Sequence, residues 1–295
     1  MMAKLLVTGA TGQLGRGVLQ HLLTTYGVAP TDIIAATRNP AALADLTAKG
    51  VEIRAADFDN PAALVQAFQG VNRVLIISTS ELAVPGKRLQ QQSAAVAAAA
   101  KAGVAHIVYT SMPNPANSLV TFAPDHLGTE KAIQASGVRY TILRNSWYTD
   151  NYLLSLPHVL ATGTWYTATG EGRTPNISRN DCARAAAAAL ANPPAGNAIL
   201  TLTGPESLTI AEVAAQVSAV TGKAITVQQV PNAAFAAGLE SAGLPPFLAT
   251  ALASADANTQ AGNFDLLTGD YQTLTGQAPQ TVRAFLEAHK AALLG

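Results

Sequence analysis

With 295 residues and 18 basic against 18 acidic side chains, the chain carries no formal net charge; 49% of it is hydrophobic and only 12% charged. That composition excludes intrinsic disorder, and a neutral chain without a basic run lacks the phosphate-neutralising surface of an electrostatic nucleic-acid binder. The length suits one large domain or two unequal ones, and no stretch approaches the ~18 unbroken apolar residues that would span a bilayer.

In chain order, short β-branched runs alternate with longer Ala/Leu-rich segments. Candidate strands start at Lys4 (KLLVTG), Ile33 (IIAATR), Val51 (VEIRAAD), Arg73 (RVLIIS), His106 (HIVYTS) and Arg139 (RYTILRN). Helical spacing is clearest in the first intervening segment, where Leu14, Val18, Leu19, Leu22 and Leu23 share one face. This rhythm predicts right-handed βαβ units and a parallel sheet covered on both faces. The nearly continuous apolar VLIIS fits a strand at its centre. After Trp147 the rhythm changes. NYLLSLPHVL reads as a helix interrupted at Pro157, and TWYTATG as a short strand. ISRNDCARAAAAAL reads as a helix capped near Asn180 or Asp181. AILTLTG has strand character and is expected to return to the main sheet. TIAEVAAQVSAVTG is an amphipathic helix ending at Gly222, AITVQQV a short strand, and the tail from Pro231 is helical. The expected fold class is therefore α/β, a doubly wound parallel sheet with a smaller, mainly α C-terminal region. The poly-Ala stretches read as good helix formers at tight packing contacts.

One cysteine, Cys182, offers no internal disulfide and reads as a small buried residue. The N-terminus MMAKLLVTGATG has too short an apolar stretch for a secretory signal. Both fit a reducing compartment, and the expected location is the cytoplasm.

TGATGQLG, from Thr8 to Gly15, follows a predicted strand and opens a predicted amphipathic helix, the context a dinucleotide fingerprint requires. Gly9 permits the tight turn, Gly12 the close approach of a pyrophosphate, and Gly15 close helix–sheet packing; the helix N-terminus supplies amide donors and a favourable dipole. The spacing, G-x-x-G-x-x-G, is one residue wider than the usual form. At the end of the second strand a carboxylate would select NAD by accepting from the ribose 2′-hydroxyl. This chain has Thr37-Arg38-Asn39-Pro40 instead. A guanidinium matches a 2′-phosphate in charge and bidentate geometry, which favours NADP(H); the alternative is a solvated surface arginine.

These residues, with AADFDN at Asp57, LIISTS ending at Ser80, YTS at Tyr109, DHLGTEKAI around Lys131, YTILRNSWYTDNY from Tyr140 and ISRNDCARAAAA, resemble an atypical short-chain dehydrogenase/reductase of the NmrA-like group. Within it the resemblance is to bacterial NAD(P)H:quinone oxidoreductases (type 2) and triphenylmethane reductases, over essentially the whole length. It implies a Rossmann-type NADP-binding domain over residues 1–153, with segments around 175–203 returning to it, and a substrate-binding region over most of 154–295. Gly9, Ala10, Thr11, Gly12, Gln13 and Leu14 would hold the pyrophosphate and Arg38 the 2′-phosphate. Asp57 and Phe58 would flank the adenine. Ser78, Thr79 and Ser80, with Thr110 and Ser111, would border the ribose and nicotinamide. Leu143, Arg144, Asn145, Ser146 and Trp147 would line the nicotinamide and begin the substrate pocket. Ligands of open parallel sheets bind at the carboxyl ends of strands, where Ser80, Ser111 and Asn145 fall. Asn145, Trp147, Tyr148 and Tyr152 would contact an aromatic substrate, with Phe235 or Phe247 closing the top; the alternative for the aromatic residues, at this spacing, is a place in the core.

One departure bears on chemistry. Dehydrogenases of this superfamily that act on alcohols use Y-x-x-x-K, the tyrosine as acid/base. Here Lys131 is present, but four residues before it stands Leu127. His126 titrates near neutrality, yet on a helix it points ~100° from Leu127 and reads as a surface or loop histidine beside Asp125. Lys131 is then the catalytic candidate, positioning the nicotinamide ribose and stabilising charge on the acceptor; the alternative is a solvated helix residue. Hydride transfer to a quinone needs mainly stacking and water exclusion, so the expected function is NADPH-dependent reduction of a quinone-like aromatic electrophile without flavin or metal. The alternative is a redox sensor that binds dinucleotide without turnover. The oligomeric state is not legible.

Overall fold

In the computed structural model, which describes residues 3–294, the chain runs β1 (Leu5–Val7), α1 (Gln13–Thr24), β2 (Ile33–Thr37), α2 (Ala44–Thr47), β3 (Glu52–Ala55), α3 (Pro61–Ala67), β4 (Arg73–Ile76), α4 (Lys87–Lys101), β5 (His106–Ser111), α5 (Ala123–Ala135) and β6 (Arg139–Asn145). It continues through α6 (Tyr152–Thr162), β7 (Thr164–Thr167), α7 (Arg179–Ala191), β8 (Ala198–Leu202), α8 (Ile210–Thr221) and β9 (Thr226–Gln229). The tail holds α9 (Asn232–Ser241), α10 (Pro246–Gln260), α11 (Asp270–Thr275), α12 (Val282–Ala288) and α13 (Lys290–Leu294).

Seven strands form one parallel sheet in the order β3-β2-β1-β4-β5-β6-β8. Its inner strands bury both faces. Leu5, Val7, Ala35, Leu75, Val108 and Leu143 pack beneath α1 and α7. Their neighbours Leu6, Ile34, Ala36, Val74, Ile76 and Ile142 pack beneath α3, α4 and α5. Because successive side chains point to opposite faces, such a strand must be apolar at every position. That is why VLIIS lies in the interior of the sheet. The fold is a Rossmann-type doubly wound sheet, and β8 joins it beside β6 as expected. The order reverses between β1 and β4, the switch point at whose carboxyl side such folds bind ligands.

The expected tight contact lies between α1 and α7. Ala183, Ala185, Ala186, Ala187 and Ala189 are all buried, and a Cβ on Gly17 of α1 would meet the Ala183 Cβ at 2.9 Å. Small side chains let the two helices share one face of the sheet. Cys182 is buried in this contact.

From α6 onward the elements other than α7, β8 and α11 build a smaller, mainly α body around the parallel pair β7–β9, while α11 packs Tyr271 into the core beneath α1 and α7. Its core joins Leu156 and Leu160 of α6, Trp165 of β7, Val213 and Val217 of α8, and Leu286 of α12. Two sequence expectations are corrected here. Pro157 does not interrupt α6, which continues to Thr162; burial of Leu156, Val159 and Leu160 outweighs the one backbone hydrogen bond that proline removes. The N-cap of α7 is Ser178, whose side chain accepts from the Asp181 amide, rather than Asn180 or Asp181. Gly222 does end α8, in the left-handed conformation at φ 75°. No helix among the described residues is long and apolar enough to cross a membrane.

Candidate active site

The turn after β1 is built for close approach. Gly9 has φ 60°, a region side chains disfavour. The Gly12 amide closes the turn onto the Gly9 carbonyl at 2.9 Å. A Cβ on Gly15 would lie 2.3 Å from that same carbonyl oxygen, so α1 presses directly on the loop. No side chain caps α1 and no acid occupies its first turn, so its amides face outward without a competing anion. Thr11, Gly12 and Gln13 are exposed there, whereas Ala10 and Leu14 are buried supports. The Thr11 hydroxyl lies 3.3 Å from that of Thr37, and Gln13 accepts from Arg179 at the start of α7.

Arg38 follows β2, exposed and in none of the ion pairs among the described residues. Asp57 and Phe58 lie at the end of neighbouring β3. The Asp57 carboxylate accepts from the Asp59 amide at 3.0 Å, and Phe58 packs half-buried against the core beneath α3 and α4.

A pocket of about 220 Å³ opens at the carboxyl ends of β4, β5 and β6, lined in part by Ser78, Thr110, Ser111, Asn145, Ser146, Trp147 and Tyr148. The strand ends are tied together: the Ser78 amide donates to Thr110 Oγ1 at 2.9 Å, and that hydroxyl donates to Ser78 Oγ. Asn145 Nδ2 donates to the Tyr148 hydroxyl at 3.1 Å. Asn145 Oδ1 and Ser146 Oγ are buried with no partner. A buried acceptor and a buried hydroxyl left open beside a pocket fit a ligand that supplies both partners, as a carboxamide does. Trp147 is braced against Phe264 from the tail, ring centroids 5.9 Å apart. The open amides, the crowded Gly15, the free Arg38 and these orphaned atoms together fit a bound NADP(H).

Several expected residues stand elsewhere. Leu143 is fully buried beneath α1 and α7. Arg144 turns back to make two bonds with Glu130, which also accepts from Ser111 at 2.6 Å. Thr79 and Ser80 are not among the lining residues, although the Thr79 hydroxyl is buried without a partner. Tyr152 belongs to the smaller core, with its hydroxyl on Asn176 at 3.0 Å and its ring edge-on to Trp165. Phe247 lines an adjoining cavity of about 230 Å³ that shares Phe122 with the first; Phe235 lines neither.

The largest correction concerns α5. Lys131 is exposed and is not among the lining residues, whereas His126, Thr129, Glu130 and Ile133 are buried. The i, i+4 pair turned to the sheet is His126 and Glu130, one residue earlier than the pair read from sequence. His126 is therefore no surface histidine: it lines the pocket at 3% exposure. Burial, then the nearby Arg88 charge, holds its pKa well below the usual histidine value, so the ring is neutral. Burial likewise pushes the Tyr148 phenol above its ordinary range. Arg88, Met112, Phe122 and Asn151 complete the walls unanticipated. Arg88 follows Gly86 and Lys87 at the start of a helix, and nothing in that spacing separates it from a solvated lysine or arginine.

The NmrA-like family model matches residues 1–268 of the chain. Quinone oxidoreductase 2 of Escherichia coli (strain K12) is 40% identical over 269 residues, 91% of each chain. The crystal structure of an Escherichia coli NADPH-dependent quinone oxidoreductase complexed with NADPH matches with a TM-score of 0.91 and 38% identity, over 97% of this chain and 99% of that one. The Citrobacter sp. triphenylmethane reductase complexed with NADP(H) matches with a TM-score of 0.90 and 33% identity, over 97% and 99%.

Proposed function

Because the chain belongs to the NmrA-like family, we propose that it is an NADPH-dependent oxidoreductase that delivers hydride to a quinone or similar small aromatic electrophile without flavin or metal. The observation that carries this reading is the pocket at the ends of β4 to β6, where the unpartnered Asn145 Oδ1 and Ser146 Oγ adjoin an aromatic wall.

When bound, NADPH supplies a hydride from its nicotinamide ring. The chain's own residues do the rest. The amides from Gly9 to Gln13 hold the pyrophosphate, and Arg38 takes the 2′-phosphate. Asn145 accepts from the carboxamide and Ser146 donates to it, which fixes the ring's rotation. Trp147 and Tyr148 form apolar surface against which a flat acceptor stacks. Phe264, buried behind Trp147, keeps that wall rigid and water out. Proximity of this kind is the main demand of the reaction, because a quinone is already electrophilic. In this reading residues 1–153 and roughly 175–203 serve the cofactor and most of 154–295 the acceptor. The buried single cysteine suits a reducing cytoplasm.

The test is an absorbance assay of NADPH oxidation with a panel of quinones and triphenylmethane dyes. Turnover with quinones at a rate that saturates in both substrates is the expected result. Tight NADPH binding with no oxidation by any acceptor would make the protein a dinucleotide sensor instead.

A further inference from the structure

Arg88 is a buried guanidinium in the wall of the pocket. It stands in the first turn of α4 at 7% exposure and lines the pocket. Buried arginines are ordinarily matched by a carboxylate, because a guanidinium removed from water must recover its solvation. None of the ion pairs among the described residues includes Arg88. Its Nη1 donates to the Thr79 carbonyl and its Nη2 to His126 Nε2 at 2.9 Å. Phe122 covers one face, 5.2 Å from ring centroid to guanidinium carbon. Nε is buried without a partner.

The neighbouring network shows that both acceptors are neutral. Arg88 can only donate, so His126 Nε2 accepts and the imidazole proton sits on Nδ1. Tyr109 spends its one proton on Gln92 Oε1 at 3.1 Å, so its oxygen accepts from His126 Nδ1 at 2.9 Å. Gln92 Nε2 then donates to Thr129, and Thr129 to the Asp125 carbonyl. The protons of His126, Tyr109, Gln92 and Thr129 are thus spent within this network or on the Asp125 carbonyl. His126 and Tyr109 therefore have no proton to offer an acceptor, while no carboxylate is in ion-pair contact with Arg88 among the described residues; Asp125 acts on its charge only through space.

We propose that Arg88 is an oxyanion site, taking the negative charge that develops on an acceptor oxygen during reduction. This rests on the reductase reading and assigns the group that reading lacks. A hydride carries two electrons and one proton to the acceptor while the nicotinamide is oxidised. The acceptor gains one bond to hydrogen and one negative charge, which a quinone localises on oxygen. Arg88 stabilises that monoanion, and a proton from solvent completes the reduction. Neutral acceptors for Nη1 and Nη2 suit this task, because a carboxylate in their place would cancel the charge before the substrate met it.

The experiment compares binding of 2,4-dinitrophenolate, an anion on a flat ring, with 2,4-dinitroanisole, its neutral analogue. Calorimetry on the NADP-loaded wild type, Arg88→Gln and Arg88→Lys gives the preference for the anion. The wild type is expected to prefer it by about tenfold or more, Arg88→Gln to lose that preference, and Arg88→Lys to keep part of it. Steady-state kinetics should show kcat for quinones falling roughly 10²-fold in Arg88→Gln, the scale of one lost oxyanion donor, with KM for NADPH unmoved. Equal affinities for phenolate and anisole in the wild type would overturn the proposal even if the variants failed to fold. So would an Arg88→Gln enzyme that keeps both the anion preference and kcat. A wild type that prefers the anion but oxidises no NADPH with any quinone would instead overturn the reductase reading and leave the oxyanion site standing.

Discussion

At Gly15 there is room for hydrogen alone, because the Gly9 carbonyl occupies the space of any side chain. Arg38 rests on charge rather than space. It is exposed and pairs with no acid among the described residues, so its removal leaves no buried group stranded. A hydrogen bond to a charged group contributes roughly 1.5–3 kcal/mol, so Arg38→Ala should weaken NADPH binding by about 10- to 150-fold. NADH binding should hold. Fluorescence titration with both cofactors decides, and equal losses would remove Arg38 from the phosphate site. Lys131 carries the opposite expectation, since it stands exposed on α5 without a hydrogen bond to its side chain. Lys131→Ala should change stability by less than ~0.5 kcal/mol and kcat by under roughly twofold. A rate loss near the ~10²-fold floor of general acid–base catalysis would return it to the reaction.

The helices differ in how openly their sequences declare a buried face. In α1 the apolar residues fall on one stripe, and that stripe is the buried one. In α5 the buried stripe is polar, carrying His126, Thr129 and Glu130, while Leu127 is only half-buried. A reading by hydrophobic periodicity selects the wrong face there, because hydrogen bonds to Arg88, Gln92, Ser111 and Arg144 replace apolar packing. In α7 the signal is size rather than polarity. With Ala183 against Gly17, extra volume has nowhere to go. Ala183→Leu is expected to destabilise the protein by about 1–3 kcal/mol, read as a lower urea midpoint with unchanged slope. A neutral outcome would mean that the α1–α7 contact is looser than this geometry.

On the scale of the whole molecule, the sheet buries a histidine that must stay neutral. His106 in β5 is 2% exposed, its Nε2 bonded to Thr141 at 2.9 Å. Burial first, then the charges of Arg139 and Arg73, lowers its pKa from 6.5 to about 4. The unfolded chain takes up a proton near 6.5 while the folded chain resists until about 4, so acid favours unfolding throughout that window. This one residue should cost about 2 kcal/mol of stability between pH 7 and pH 5, and neutral His126 adds to the loss in the same direction. Thermal melts over that range should show the decline, and His106→Gln should flatten it. An equal slope in the variant would place the pH sensitivity in other groups.

The alternation of strands and helices, the glycine turn and the arginine after β2 were determined by the sequence alone, because each rests on local chemistry: periodicity, backbone freedom and charge at a known distance along the chain. The return of β8 to the sheet was legible for the same reason, as a β-branched run of the right length. Which face of α5 meets the pocket, the withdrawal of Arg144 to Glu130 and of Tyr152 into the smaller core, and the arrival of Arg88 beside His126 were decided only by tertiary structure. Those outcomes depend on partners far apart in the chain. Arg88 and His126 are 38 residues apart, and no pattern within α4 or α5 records that they meet.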